Sequence, residues 1–520
     1  MKKLAAFLIA VFLFGFTTPA AAASRYMVNP FYAIRSYTEY QKVGSLLGDS
    51  NHMYYGWGRL ARDSGGKIAF TNKGANERIS KYDIYTEYYL PDTVGGKLTN
   101  EIYKSTHPNS KNLLMVFFNR AQYDDGKISS EEFLNMSSAD WDKNIIEPMM
   151  SMVNQYGFDG VALDFEGFIN DPSGLKEKYN SFLGQLKMRL QGKQLVVCVH
   201  VPENFDGYDY GYIYNTADYV ILLAYSYKHY STYQDNDGVP GLTGKIKEID
   251  IPEAQPLGKV QDSLKGFIDE LRGKYKENFN PKKILLGTTL EINGWIEKEI
   301  VYNQKPYTYY EKVASLPAEN KFNISTLDAL DKLNGKVEYI SVSNTYGYTS
   351  KTYRKVVTEG LDQGMKKIEY YYETPESIYD KCSSLVHEFD LAGVSVWRMG
   401  LGNNSIWSSM NNIFTTPSNG YSELPEKTDV PVSKMWTVKF NMPIDKVTMM
   451  SSRKNIAVVD SDGNPADIKL EYDTTSSSVK VTPVSSYKIG QVYYLIVGED
   501  IKSDKGGNLG QPIRMKFKVK

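Results

Sequence analysis

Cysteine is nearly absent from this chain: there are two in 520 residues, Cys198 and Cys382. Two distant thiols cannot make a disulfide framework, so the fold must rest on apolar cores. The composition allows that, with 42% hydrophobic and 23% charged residues. Cys198 lies inside "LVVCVHV" and reads as a small core hydrophobe. An excess of one charge is also missing. Lys and Arg total 60 against 61 for Asp and Glu, which argues against the basic footprint of a nucleic-acid binder. The five histidines, His52, His107, His200, His229 and His387, show no metal-ligand spacing. No metal and no cofactor are expected, and His200, on a strand, reads as a core residue. No glycine-rich phosphate fingerprint follows an early strand. After the first residues, no run is long and apolar enough to span a bilayer, which needs about 20 apolar residues.

What is present begins at the N-terminus. Lys2 and Lys3 precede "LAAFLIAVFLFGF", then "TTPAAAAS". A charged start, a short apolar stretch and small residues at Ala22 and Ala23 make residues 1–23 an expected signal peptide. An uncleaved anchor is the other reading of the same stretch. The expected location is outside the cell or on its envelope. Tyrosine is abundant, at 41. Its apolar ring and polar tip suit sugar-facing surfaces, although packing in strands and at helix–sheet contacts must account for most of them.

Strand-like and helix-like runs then alternate. "HMYYGWGRL", "NLLMVFFNR", residues 158–166, "QLVVCVHVP", "DYVILLAYSY", "KKILLGTTL", "KIEYYYE" and "LAGVSVWRMG" are the strand candidates. Between them, "DWDKNIIEPMMSMVNQYG" reads as a helix ended by Gly157. Leu175, Tyr179, Phe182, Leu183, Leu186 and Leu190 recur at helical spacing, as do Val260, Leu264, Phe267, Ile268 and Leu271. Strands apolar on both faces, alternating with amphipathic helices, indicate a parallel sheet covered by helices. The count favours an α/β fold of the (β/α)₈ TIM barrel type over 24–415; a doubly wound open sheet is the alternative. The length implies insertions, one of them between Asn293 and Lys367, where "VEYISVSNTYGYTS" reads as an extra strand pair. Residues 416–432, rich in Pro, Ser, Gly and Thr, read as a linker. Short alternating segments over 433–520 read as a small all-β sandwich.

One strand is chemically unusual. In "FDGVALDFEG", Asp164 and Glu166 interrupt an apolar run. Residues two apart on a strand share a face. Ala162, Asp164 and Glu166 therefore point one way, and Val161, Leu163 and Phe165 the other. In a barrel the first set faces inward, with Glu166 at the carboxyl end where barrel active sites sit. Unpaired buried carboxylates are costly. They must either meet a Lys or Arg from a neighbouring strand or belong to a ligand-lined mouth.

"DGVALDFE" resembles the signature D-G-x-D-x-D-x-E of glycoside hydrolase family 18, the chitinases and related N-acetylglucosaminidases. Asp159, Gly160, Asp164 and Glu166 match; Ala162 stands where the family usually has Asp. "LLAYSY" resembles the family's M-x-Y-D strand, with Tyr225 matching and Ser226 replacing the Asp. "GVSVW" resembles the last barrel strand, whose Trp, here Trp397, lies under the bound sugar. The stretch "YYYETPESIYDKCSSLVHEFDLAGVSVWRMGLG" most resembles the branch with spore-cortex and cell-wall N-acetylglucosaminidases. The tail, "KMWTVKFNMPID" through "DKGGNLG", resembles bacterial Ig-like domains.

The resemblance implies substrate-assisted retaining hydrolysis of β-linked N-acetylglucosamine polysaccharide: peptidoglycan, chitin or N-glycan. Glu166 would protonate the glycosidic oxygen and Asp164 would hold the acetamide N–H. Tyr225 would bond the acetamide carbonyl and Trp397 would stack under the sugar. Tyr55 and Trp57 are weaker candidates for sugar contacts. The Ig-like region would be a spacer or would attach the chain to the cell wall. The departures at Ala162 and Ser226 imply lowered activity or an altered pH optimum. They also keep two competitors open. One is a catalytically weak or inactive carbohydrate-binding envelope protein on the same fold. The other is a structural envelope protein that works through its tail.

Overall fold

The computed structural model describes residues 26–33, 52–72, 93–119, 128–166, 174–201, 207–227, 229–317, 319–343, 349–412, 422–440, 443–445, 455–461, 465–475, 477–498, 501, 503 and 512–520. The expected leader, residues 1–23, lies outside the described residues. Among the described residues no helix is long and apolar enough to cross a membrane. The chain divides into two compact units, Tyr26–Phe414 and one containing Thr415–Lys520.

Eight parallel strands close the barrel of the first unit. They are β1 (Met27–Ala33), β2 (His52–Arg62), β3 (Lys111–Asn119), β4 (Gly160–Glu166), β5 (Gln194–His200), β6 (Tyr219–Leu223), β7 (Ile284–Thr289) and β8 (Gly393–Trp397). The ring closes because β1 pairs with both β8, as Val28 to Val394, and β2, as Tyr32 to Tyr55. A short strand, Ile68–Thr71, pairs antiparallel with the outer end of β2.

Two apolar clusters explain the strand composition. Inside the ring, Ala162 packs with Met115, Val196, Cys198, Ile221, Leu223 and Leu285. Outside it, Val161, Leu163 and Phe165 join the larger core formed with the helices. Helix Leu175–Leu190 buries Tyr179, Phe182, Leu183, Leu186 and Leu190 there, at the spacing read from the sequence. The expected helix ahead of Gly157 spans Ser138–Gln155 with a π-helical turn over Asp142–Ile146. Pro148 follows that turn and has no N–H to continue the regular ladder.

The barrel strand set differs from expectation in one member. "KIEYYYE" is not in the barrel. Met365–Tyr372 lies in a seven-stranded antiparallel sheet, between Asn293–Tyr302 and Thr349–Val357. Only Ile368, Tyr370 and Tyr371 of it are buried, whereas β4 is buried on both faces up to Glu166. The eighth barrel strand is β1, "MVNPFYA", whose Asn29 and Pro30 break the apolar run. Asn29 is fully buried but satisfied: Nδ2 donates to the Tyr54 hydroxyl (3.1 Å) and Oδ1 accepts from His52 N (3.1 Å).

The extra strand pair expected after Asn293 is present, as Lys336–Ser343 antiparallel to Thr349–Val357. A buried polar network joins this sheet to the barrel. Gln255 Oε1 accepts from Thr288 Oγ1 (2.7 Å) and Thr289 N (3.0 Å). Gln255 Nε2 donates to Glu373 (3.0 Å), and Lys381 Nζ donates to the Gln255 carbonyl (2.6 Å) and pairs with Glu373. Every charge in the network has an opposite partner or a carbonyl, which is the condition for burying it without a large penalty.

The second unit is a sandwich of two sheets. One orders Ser422–Val430, Ile513–Val519, Val492–Val497 and Ile456–Asp460; the other orders Trp436–Lys439, Ser478–Pro483 and Ile468–Asp473. Trp436, Val458, Val479, Val481, Tyr493 and Phe517 fill the space between them. Ser422–Val430 falls within the stretch expected to be a linker. It is instead an edge strand parallel to Ile513–Val519, broken by register shifts around Pro425. Most of its described side chains are exposed, so it carries no apolar alternation to read.

Gly160 shows how the strand that carries the carboxylates is seated. A Cβ there would lie 2.1 Å from the Gln194 carbonyl oxygen on β5. Gly160→Ala is therefore expected to destabilise the barrel by about 1–3 kcal/mol through overpacking against backbone. Chemical denaturation of the two proteins checks this; equal midpoints would mean that β4 and β5 can separate freely.

Candidate active site

The site is built on the carboxyl ends of the barrel strands. Asp159, just before β4, does not reach it. It sits at the opposite end, where Oδ2 accepts from Asn112 N (2.8 Å) and Lys104 Nζ (3.0 Å), while its backbone links β3 and β5. Its part is to register β4 between its neighbours. Alternation then carries Ala162, Asp164 and Glu166 up the inner face.

Asp164 is 7% exposed, and no hydrogen-bond partner is found for its Oδ1 among the described residues. Burial, and then the charge of Glu166, push its carboxyl well above the ordinary range. Where a partnering Asp is expected in the family signature, Ala162 is fully buried among aliphatic side chains and supplies no polar atom. Glu166, the last residue of β4, is 21% exposed at the mouth. Its Oε1 lies 3.3 Å from Nε2 of His200, the last residue of β5.

The remaining expected residues converge on the same mouth. Tyr225, two residues beyond β6, packs on the interior cluster. Burial raises its phenol well above the ordinary value, and the neighbouring Asp164, Glu166 and Glu291 raise it further, so it remains a hydrogen-bond donor. Ser226 follows in the left-handed region (φ 58°) and is exposed. Its N–H donates to the Ala254 carbonyl (2.7 Å), a turn that lets Tyr225 face inward and Tyr227 join the outer core. Trp397 ends β8, and the peptide bond after it is cis. Its ring meets Phe31 edge-on at 5.5 Å.

Glu291 was not anticipated. It lies two residues beyond β7 and its Oε1 accepts from the Trp397 indole N–H (3.3 Å). Burial raises its carboxyl, and the indole, Arg398 and Lys312 oppose that. The signal was an acid just past the carboxyl end of a barrel strand, in "LLGTTLE". His200, which reads as a core residue in the sequence, is not one. The alternation Val196, Cys198, His200 along β5 puts it on the inner face at the mouth, beside Glu166. Tyr55, by contrast, is not at the mouth. It is buried on the outer face against Tyr32 and Phe158, its hydroxyl donating to the Thr99 carbonyl (3.3 Å). The bulge between Tyr55 and Gly58 changes the parity of β2. The Trp57 side chain lies outside the described residues.

Residues 52–402 match the model of the glycosyl hydrolases family 18. The chain belongs to that family. It is a glycosidase on a (β/α)₈ barrel. Residues 411–519 match the bacterial Ig-like domain model. Among curated relatives of this family 18 chain, the uncharacterised glycosylase YvbX of Bacillus subtilis is 22% identical over 381 residues, 67% of this chain and 92% of that protein. The cortical fragment-lytic enzyme of Bacillus anthracis is 20% identical over 283 residues, 53% of this chain and 54% of that enzyme, so the chain spans about half its length. Among solved structures, the Bacillus cereus spore cortex-lytic enzyme SleL aligns at 16% identity with a TM-score of 0.49, covering 76% of this chain and 75% of that one. A family 18 N-acetylglucosaminidase from Paenibacillus barengoltzii aligns at 14% identity with a TM-score of 0.45, covering 75% and 99%.

Proposed function

We propose that this glycosidase acts outside the cell on a polysaccharide of β-linked N-acetylglucosamine, with bacterial cell-wall glycan as the first candidate and chitin and N-glycans after it. We also propose that it retains anomeric configuration through the substrate's own acetamide. The observation that carries this is the inner face of β4, with Glu166 at the open mouth and Asp164 buried one step below it.

In the first half-reaction Glu166 gives its proton to the glycosidic oxygen. That bond breaks as the acetamide oxygen of the same sugar bonds to the anomeric carbon, forming an oxazolinium ion. Holding the acetamide in line replaces a second carboxylate as nucleophile. Asp164 accepts the acetamide N–H, which favours its ionised form. In the second half-reaction Glu166 takes a proton from water, the water oxygen bonds to the anomeric carbon, and the acetamide is released. Tyr225 donates to the acetamide oxygen, and Trp397, fixed by Glu291, supplies the stacking face. The hydrolytic reading is tested on the products. The mature chain is incubated with peptidoglycan, chitin oligomers and an N-glycoprotein, and new reducing ends are identified by mass spectrometry. N-acetylglucosamine ends from one of them, first released as the β anomer, support the reading; α-anomer product would overturn the retaining mechanism.

A second reading is favoured by Ala162, which leaves Asp164 without a carboxyl neighbour below it. The chain would then bind the same sugars with little or no turnover, and sugar binding without released ends would establish that reading.

Removing the stacking face has a separable effect. Trp397→Ala is expected to raise KM about tenfold, on the order of 1.4 kcal/mol of lost aromatic contact. Steady-state kinetics on a soluble oligosaccharide check it, and an unchanged KM would mean that the sugar does not lie on this ring.

A further inference from the structure

We infer that Glu291 is a specificity-determining contact to the substrate: its carboxyl takes a hydroxyl of the N-acetylglucosamine unit that lies on Trp397, besides fixing the ring. The inference rests on the reading of Trp397 as the stacking face. The sequence supplies an acid directly after a barrel strand, in "TTLEINGW", and backbone hydrogen bonds hold it there. Leu290 N donates to the Trp397 carbonyl (2.7 Å), and Glu291 N donates to Thr289 Oγ1 (3.1 Å). The segment is thereby tied to the ends of both β7 and β8. The carboxyl comes to the edge of the indole, with Oε1 3.3 Å from Nε1.

That edge matters to a stacked sugar. An indole N–H lies in the plane of its ring, so a group that accepts from it stands beside the ring rather than over a face. A β-linked N-acetylglucosamine unit stacks through its axial C–H groups, about 4 Å above the ring. Its hydroxyls are equatorial and radiate from its rim. Within a chain the 3- and 6-hydroxyls are free, because the 4-oxygen and the anomeric oxygen are in glycosidic bonds. An acceptor at the edge of the indole stands below that rim, where one of the two emerges. A carboxyl that gives one oxygen to the indole keeps further lone pairs for it, and no second hydrogen bond to the Glu291 carboxyl is found among the described residues. Arg398 and Lys312 bring positive charge to the same place. The Arg398 guanidinium carbon lies 5.9 Å from the centre of the Trp397 ring, and Lys312, paired with Trp295 across the sheet, has its Nζ 5.1 Å over that ring. Both favour the ionised Glu291 carboxyl, against burial and the charge of Glu166. Glu291 in turn raises the Tyr225 phenol, so it faces the same mouth as the residues assigned to the acetamide. A carboxylate and a carboxylic acid both accept from a hydroxyl, so the contact exists in either form. A sugar whose hydroxyl at that edge is capped by an ether or an ester loses the bond and presses its substituent on the carboxyl. The site therefore selects the unsubstituted sugar.

The test is a cycle between protein and ligand. Titration calorimetry gives Kd for the N-acetylglucosamine trimer and for its 3-deoxy and 6-deoxy forms. The full chain carries Glu166→Gln to suppress turnover, alone or with Glu291→Ala or Trp397→Ala. Glu291→Ala is expected to weaken binding of the trimer at least about tenfold, as a lost hydrogen bond to a charged group does. One of the deoxy forms is expected to lose the same factor against intact Glu291 and to bind Glu291→Ala as tightly as the trimer does. The ligands are compared within each protein, so partial unfolding of a variant does not imitate this pattern. An unchanged affinity in Glu291→Ala would overturn the inference. So would deoxy forms that lose equal factors in the presence and absence of Glu291, since the residue would then act through the indole alone. Trp397→Ala separates the inference from the reading beneath it. If that variant binds the trimer as tightly as its parent, the stacking reading falls and the inference with it; if it binds weakly while Glu291→Ala binds normally, only the role of Glu291 falls.

Discussion

Glu166→Gln is expected to lower kcat by about 10²–10⁴-fold, the usual contribution of a positioned general acid, while leaving the affinity for an oligosaccharide within about twofold. The side chains are nearly the same shape, and the position is partly open at the end of β4, so the amide can take the place of the carboxylate without a cavity or a clash. It can still meet His200 across the 3.3 Å gap. What it cannot do is release a proton to a glycosidic oxygen or accept one from water, so both half-reactions fail together. Trp397, Glu291 and Tyr225 are untouched, and with them the stacking face and the acetamide contact. Titration calorimetry with an N-acetylglucosamine oligomer, beside initial rates, separates the two quantities. A variant that still turns over near the parent rate would show that the proton comes from elsewhere. A variant that loses binding as strongly as rate would show that Glu166 holds the substrate rather than reacting with it.

The site was legible where chemistry and strand period coincide, and obscure where it depends on distant elements. The alternation in "VALDFE" assigned the inner face of β4 correctly because both faces of that strand are dry, so a carboxylate had to be explained. The same period along β5 would have brought His200 to the mouth. A single histidine at a strand end carries no comparable contradiction, and its partner lies on another strand. Glu291 meets Trp397 across 106 positions, a contact that no local pattern encodes. Tyr55 was misassigned because a bulge shifts the parity of β2 within the strand itself. The barrel was read from strands that are apolar on both faces. That rule took in "KIEYYYE", whose tyrosines are apolar enough to imitate a buried strand, and it passed over β1, whose Asn29 is buried through a side-chain network.

Asp164→Asn is expected to lower kcat by at least about 10²-fold and, at neutral pH, to make the protein more stable. The two effects have one cause. Asp164 is buried, its Oδ1 has no hydrogen-bond partner among the described residues, and the charge of Glu166 lies beside it. Its native carboxyl therefore holds a proton at pH values where the unfolded chain, near 3.9, has released it. In that window the native state binds more protons than the unfolded state, so stability falls as pH rises. Asparagine carries no charge to bury and removes this slope. The melting temperature of the variant should exceed that of the parent near pH 7, and the gap should close as pH falls below about 4, where both side chains are neutral. Activity moves the other way, because an amide cannot balance the positive charge of the oxazolinium ion that the ionised carboxylate would face. Thermal melts between pH 3 and 8, with rates measured on the same samples, test both parts. A difference in melting temperature that does not vary with pH would mean that Asp164 is already ionised in the native protein. A stabilised variant with undiminished rate would mean that the buried carboxylate takes no part in the reaction. If both expectations hold, Asp164 is a group that the fold would be more stable without and that the chemistry requires, which is the trade expected of a catalytic carboxylate held one step below the mouth of a barrel.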